Sequence, residues 1–506
     1  MRPELSLLAL GCVLVAGEPL TITQYNVSLT VSGAGASGRF VNGDWWIVGP
    51  ATLEAALPAF DGLRNGLEVS PASVEQQGFD HRVAGWNASR TARLPLIVNP
   101  GDRLVKAASQ PPGPVQHRVG LRTAIVVTVL SAPPPDGAFR PPYFGRSMMP
   151  GPSGDYWLAS DANLSRLEAR PVVPSDASAI PGWSWLAGRF GRLQLDHLKG
   201  YASRSLHPSE NMPNYGADIA RDTGDGAMRL MLPDALTNAS AALPGLVAYL
   251  QMGLDVYGIL SHGGSWPANG GHENGRKLPL AFAGVVLGDP SIVAASRDAA
   301  PGAFSESDEL QGRPANAPVV LFGQDDLTPS SVSAEEEYWR VVTTGDGFRT
   351  GRDPYGWIDG GAFPSSYYQF CCTSEMWKGT SLPMRNLSAP LGAAGNLPSF
   401  HEYVDRWVAF GAWAQPDPCA PPTGLCSDGS GPCAGFLHSP CGAGNGTCAL
   451  SMDGYGKAFG PDGKGGCIPD TDPSDGTGRF PSLHGAARDQ GDYVSAFAQA
   501  MWRAQE

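Results

Sequence analysis

One change of hydrophobic period divides this chain and limits its folds more than any other feature. Up to residue 134 the apolar residues recur at every second position or in short β-branched runs: QYNVSLTVSG, GRFVNGDWWIVGPATLEAAL, RTARLPLIVNPGDRLVKAAS and RTAIVVTVLSAPP. Gly, Pro, Asn and Asp separate these runs, as they do between strands. Beyond residue 155 the spacing becomes three and four, the helical repeat. Between the two, PPPDGAFRPPYFGRSMMPGP (133–152) interrupts any period with repeated prolines. The expected architecture is a β-sandwich over 19–134, a linker over 135–155 and a helical domain over 156–415.

The helical region is carried by LAGRFGRLQLDHLKGYAS, YGADIARDTGDGAMRLMLPD, LPGLVAYLQMGLDVYGILSHG, KLPLAFAGVVLGDPSIVAAS, FHEYVDRWVAFGAWA and HGAARDQGDYVSAFAQAMWRAQ. Successive helices without intervening strands point to an incomplete α/α toroid. A Cys-rich stretch over 416–480 interrupts it, and the final helix over 481–506 returns to the helical domain. The 506 residues suffice for several cores, and 65 Gly with 46 Pro imply many punctuated loops. A net charge of −13 without a basic stripe excludes nucleic acid as a partner.

Arg2 followed by an apolar run from Leu7 to Val15 and small residues at Ala16 and Gly17 reads as a signal peptide over 1–17. Outside it, no run of apolar residues is long enough to predict a membrane span. Removing Cys12 leaves eight cysteines, six of them between Cys419 and Cys467, which suits disulfides in an oxidising compartment. Sequons at Asn26, Asn87, Asn163, Asn238, Asn386 and Asn445 agree with a secreted, extracellular protein.

Chemistry concentrates in LDVYGILSHGGSWPANGGHENGRKLPLAFAGVVLGD (254–289), where a glycine-rich loop joins two apolar helical runs. It offers Tyr257, His262, Trp266, Asn269, His272, Glu273, Arg276 and Lys277. Such groups between rigid elements suit binding and catalysis. The plainer alternative is a buried helix connection whose polar groups satisfy backbone atoms. A second stretch, MPNYGADIARD, gathers Tyr215, Asp218 and Arg221 at a helix start. In the sandwich, Trp45 and Trp46 follow the hairpin candidate Asn42–Asp44 on opposite faces of a strand, and an exposed Trp45 would suit stacking on a sugar ring.

A leader, a β-sandwich and a helical array in this order, with WPANGGHENGRK on a loop between helices, resemble the secreted carbohydrate-active enzymes with an α/α toroid. These include polysaccharide lyases of the heparinase and alginate-lyase type. The resemblance implies an extracellular polysaccharide as substrate and Asn, His, Tyr and Arg at one rim. β-Elimination at a uronate needs a base, a neutraliser for the developing enolate and an acid for the leaving oxygen. His272 is then the base, Asn269 and Arg276 the neutralisers, Tyr257 the proton donor or an alternative base. Trp266, His262 and Lys277, with Trp45, would hold the sugar.

A glycoside hydrolase would instead pair carboxyl groups, Asp255 and Glu273 being nearest in sequence. A non-catalytic glycan-binding or cell-surface protein is the third reading. No organic cofactor is expected. A divalent cation at His262, His272 and Glu273 is an alternative, though the spacing is not that of a zinc helix.

Overall fold

The computed structural model describes residues 18–112, 120–146, 151, 154, 156–168, 171–200, 203–267, 271–300, 302–306, 374–395, 397, 400–401, 404 and 495–504. It also gives the backbone of short strands at 12–13 and between 424 and 450. Sheets come first and helices follow, as the change of period requires.

Two sheets pack face to face. One has four strands in the order β2-β3-β6-β8, with β2 Leu20–Gln24, β3 Val27–Ser32, β6 Ala51–Leu57 and β8 Leu96–Val98. The other has six, β1-β4-β5-β10-β9-β7: β1 Cys12–Val13, β4 Ala36–Arg39, β5 Trp45–Val48, β7 Leu67–Val69, β9 Arg103–Ser109 and β10 Leu121–Leu130. Tyr25 and Asn26 turn β2 into β3 at φ 50° and 60°, the left-handed pair that a tight hairpin demands. Asn42–Asp44 turns β4 into β5, as its composition predicts, with Phe40 N–H donating to Asp44 O at 2.9 Å.

The six-stranded sheet is a middle layer. Leu104, Ala108, Ile125 and Val127 face the four-stranded sheet across one core, whereas Val105, Ala107, Ala124 and Val126 join the core of the helices. Burial on both faces explains why β10 reads as a near-continuous apolar run rather than an alternation.

The helices are α1 Trp183–Phe190, α2 Ser203–Leu206, α3 Gly216–Met231, α4 Asp234–Thr237, α5 Ala239–Ser261, α6 Lys277–Leu287 and α7 Pro290–Arg297. Further along are α8 Ser374–Ser381, α9 Ala389–Gly395 and α10 Ala496–Arg503. α5 packs against α1 and α6, and α3 against α8 and α10. By length and composition α5 is apolar enough to cross a bilayer, and 78% of its most apolar window is buried inside the molecule. α1 stops at Phe190, short of the helical stretch expected through Ser203. Leu193 and Leu195 then bury alternate positions of an extended segment.

The LGDPS junction at 287–291 shows how local sequence sets a helix boundary. Gly288 closes α6 at φ 69°, Asp289 caps α7 by accepting from Ser291 N–H at 2.8 Å, and Pro290 begins the helix. The other Asp289 oxygen accepts the Trp157 indole N–H at 2.7 Å. Asp289→Ala removes both contacts and should cost about 1–2 kcal/mol for the cap alone, with more from the orphaned indole. Urea unfolding of Asp289→Ala, Trp157→Phe and the double variant should show that the two losses are not additive.

Arg140 ties the three parts of the chain together. This 1% exposed side chain donates from Nε to Asp44 at 2.7 Å and from both terminal nitrogens to Asp255, at 2.9 and 2.6 Å. Asp44 belongs to the β4–β5 turn and Asp255 to α5, so the former linker residue is clamped from both sides. Gln251 brackets the Arg140 backbone as well, accepting from its N–H and donating to its carbonyl, each at 3.1 Å.

The expected Cys-rich segment contributes a small antiparallel sheet in the order β12-β11-β14-β13, formed by Gly424–Cys426 (β11), Pro432–Cys433 (β12), Pro440–Cys441 (β13) and Gly446–Leu450 (β14). Its disulfide pairing, the rest of the expected leader, and Cys371 and Cys372 lie outside the described residues.

Candidate active site

The loop at 271–276 lies on the first turn of α3, and two glycines make that approach possible. A Cβ on Gly216 would stand 2.4 Å from His272 O, and one on Gly275 would stand 2.5 Å from Ala220 N. Gly275 also has φ +93°, which favours glycine. The result is that Tyr215, just before α3, meets His272 edge-on with ring centres 4.9 Å apart. From α2, Arg204 places its guanidinium 5.0 Å from the Tyr215 ring centre and its Nη1 3.4 Å from His272 Nδ1.

All three side chains are half-buried. Burial, then the positive charges of Arg204 and Arg276, push the His272 imidazole down to about 4. At neutral pH it is therefore uncharged and able to take a proton.

Beneath this rim is a buried polar network. Arg276, fully buried, donates to both oxygens of Asp196, from Nε at 2.7 Å and from Nη2 at 3.0 Å. Its Nη1 donates to Asn274 O at 2.6 Å and lies 3.4 Å from His272 O, so the guanidinium holds the loop from inside. His207 Nε2 is 2.7 Å from Asp196 Oδ1, and its Nδ1 is 3.2 Å from Pro213 O. Burial alone would push the Asp196 carboxyl up, but Arg276 and His207 outweigh it and hold it well below the usual range.

The Asp196 N–H donates to Tyr143 Oη at 2.9 Å, and that hydroxyl lies 3.0 Å from His197 Nδ1. Burial pushes His197 down to about 3. This network leaves little trace in the sequence because Asp196 and Arg276 are 80 residues apart. Adjacent Asp196 and His197 among the closely spaced Leu193, Leu195 and Leu198 are the available signal.

The other expected site residues are placed as follows. Glu273 and Lys277 are buried, and the Lys277 ammonium sits 5.6 Å from the Phe304 ring centre. Burial pushes it down to about 8, against the pull of Glu306. Trp266 is fully buried and stacks on the same Phe304 at 5.5 Å. Tyr257 lies apart from His272, edge-on to Trp157 at 6.2 Å, and burial with the nearby Asp289 raises its phenol instead of lowering it.

His262 is also apart, its Nδ1 2.7 Å from Gly258 O and its ring edge-on to Phe144. Trp45 is half-buried against the core between the sheets, with the Arg39 guanidinium 4.3 Å from its ring centre. Asn269 lies outside the described residues. Of the loop's charged and imidazole groups described, His272 meets Tyr215 and Arg204, whereas Arg276 supports the loop from below.

Among the described residues no group of three or more His, Cys, Asp or Glu side chains is arranged to hold a metal ion. Asp255, one of the carboxylates considered for hydrolysis, is taken up by Arg140 and by Tyr143 N–H at 3.2 Å. The chain matches no known family model, no curated protein and no solved structure.

Proposed function

We propose that this chain is a secreted carbohydrate-active enzyme that cleaves an extracellular polysaccharide by β-elimination at a uronate, with His272 as the base. The observation that carries this reading is a neutral, half-exposed imidazole beside a tyrosine hydroxyl-bearing ring and an arginine. In this reading the helical layer is an incomplete α/α toroid with a Cys-rich insertion, and the mature chain begins near Glu18.

The chemistry follows from the charges. A substrate carboxylate pairs with Arg204 and draws it away from His272 Nδ1, and the imidazole accepts the proton alpha to the carboxylate. The carboxylate also offsets the positive field that depresses His272, raising its basicity once substrate is bound. Arg204 stabilises the enolate that develops, and Tyr215 Oη donates the proton to the leaving glycosidic oxygen. The products are a reducing end and an unsaturated uronate.

The test is incubation of the purified protein with uronate-containing polysaccharides, followed by the absorbance of the conjugated double bond and by reducing-end assays. Equal rise of both supports elimination. Reducing ends without unsaturation would mean hydrolysis, and neither signal on any uronate polymer would reject the reading.

A further inference from the structure

Six sequons stand in the sequence, and the side chains of four of their asparagines are described: Asn26, Asn87, Asn163 and Asn238. Attachment of a glycan uses the asparagine Nδ2, and a bulky polar chain cannot enter a close-packed interior. The fold must therefore leave each modified amide outside. Asn26, Asn163 and Asn238 are exposed, whereas Asn87 is half-buried.

The surroundings of the four amides sort them further. Asn26 stands on the β2–β3 turn at φ 60°, a backbone conformation in which asparagine is favoured. Asn163 Oδ1 accepts from Ser165 N–H at 2.9 Å, which engages the oxygen and not the nitrogen. Asn238 precedes α5 without capping it through its side chain, and each residue from 236 to 240 is exposed, Leu236 among them at 44%. A solubilising glycan beside Leu236 would screen that apolar surface. Asn87 is the contrast: its Nδ2 donates to Gln76 Oε1 at 2.9 Å, and its Oδ1 accepts from Ser89 N–H at 3.0 Å and from Ser89 Oγ at 2.7 Å.

We infer that Asn26, Asn163 and Asn238 carry N-linked glycans, on the four-stranded sheet, on the turn that leads into Leu164–Leu167 and at the α4–α5 junction. These sites depend on the reading of the chain as a secreted protein and on no reaction at His272. In the transfer, Nδ2 bonds to the anomeric carbon of an oligosaccharide carried on a lipid pyrophosphate. The bond from that carbon to the phosphate oxygen breaks, the lipid pyrophosphate departs with the electron pair, and one Nδ2 proton passes to a base of the transferase. Nothing is oxidised or reduced. The hydroxyl of Ser28, Ser165 or Ser240 completes each acceptor.

The test is expression of the full chain in a secreting eukaryotic cell, once with its own leader and once with a signal sequence of proven function in place of residues 1–17. Protein from the membrane fraction and the medium is treated in heavy-oxygen water with an amidase that releases N-glycans. Each occupied asparagine becomes a labelled aspartate, and the peptides are read by mass spectrometry. Most copies behind the proven signal should carry the label at Asn26, Asn163 and Asn238, each more fully than at Asn87. Ser28→Ala, Ser165→Ala and Ser240→Ala should each lose one glycan's step in gel mobility and the label at its own site alone. The changes are placed at the serines so that Asn26 keeps its positive φ and the Asn163 contact keeps its donor, which is a backbone N–H.

Unlabelled asparagine at any one of the three in most copies behind the proven signal would remove that position, and at all three would overturn the inference. Fuller label at Asn87 than at each of the three would overturn it as well, because an open amide would then not be what selects the sites. Where a serine variant misfolds, the labelled positions of the unaltered chain decide. Label behind the proven signal, with none and no export behind the chain's own leader, would reject the secreted reading and leave the three acceptors standing.

Discussion

Replacing Arg140 with alanine should destabilise the folded chain by roughly 3–5 kcal/mol, among the largest single-residue effects in the molecule. The reason is less the lost attraction than what remains. Asp44 and Asp255 stay buried without the cation that both of them face. Arg140→Lys keeps the charge but loses the planar fork that serves two carboxylates at once, and should fall between the two.

The deficit should also depend on pH. Burial already pushes the Asp255 carboxyl above its ordinary value, and Arg140 is the main group opposing it. Without Arg140 the folded carboxyl rises further, so its protonated form is the one the fold prefers. Stability contributed that way is full below the unfolded value, about 3.9, and is lost as pH rises through the folded one. Arg140→Ala should thus be closest to the unaltered chain in acid and furthest from it at neutral pH. Adding Asp255→Asn should recover part of the loss at neutral pH. A pH-independent deficit in urea unfolding would show that Arg140 acts through packing alone.

How far the sequence could be read follows from which physical signals are local. The β4–β5 hairpin was legible because alternation and the turn residues Asn42–Asp44 lie within one short window, whereas the β2–β3 turn at Tyr25–Asn26 falls inside QYNVSLTVSG, whose alternation reads as a single strand. α3, α5, α6 and α7 were legible for the same reason, their period being written in consecutive residues, although KLPLAFAGVVLGDPSIVAAS reads as one helical run and is broken at Gly288–Asp289 into two. The segment after Phe190 was not: Leu193, Leu195 and Leu198 fit a helical spacing about as well as an extended one, and Gly191 ends the helix.

Depth was the larger difficulty. Arg276, Lys277 and Glu273 are residue types that usually face water, and nothing local says that they will be buried, with Asp196 and the 302–306 segment packed against this loop. Charges this deep are tolerated only with partners, and here Arg276 finds its partner in Asp196. A polar, glycine-rich loop can therefore be read as a rim when much of it is a foundation. The meeting of His272 with Tyr215 lay one step further off, since it depends on Gly216 and Gly275 admitting two backbones to contact.

His272→Ala should lower turnover on a uronate polymer by about 100- to 10,000-fold, the usual worth of a positioned proton-transfer group, with little change in unfolding temperature. The side chain is half-exposed and its ring edge meets Tyr215, so truncation opens no enclosed cavity. Arg276→Ala is the contrasting variant. It strips Asp196 of a bidentate partner in the interior, and its loss of activity should come with a loss of fold.

The acid limb supplies an independent check. In the unliganded chain His272 is held down to about 4, so under the proposed elimination kcat/KM should stay level through mildly acidic pH and fall only as that value is approached. Arg204→Gln removes one of the two positive charges that depress the imidazole, and the same limb should move to higher pH. Because the carboxylate then loses its partner, KM should rise as well. A shifted limb with a higher KM identifies Arg204 as the group facing both substrate and base. A lower rate with an unmoved limb would mean that the group titrating in the reaction is not His272.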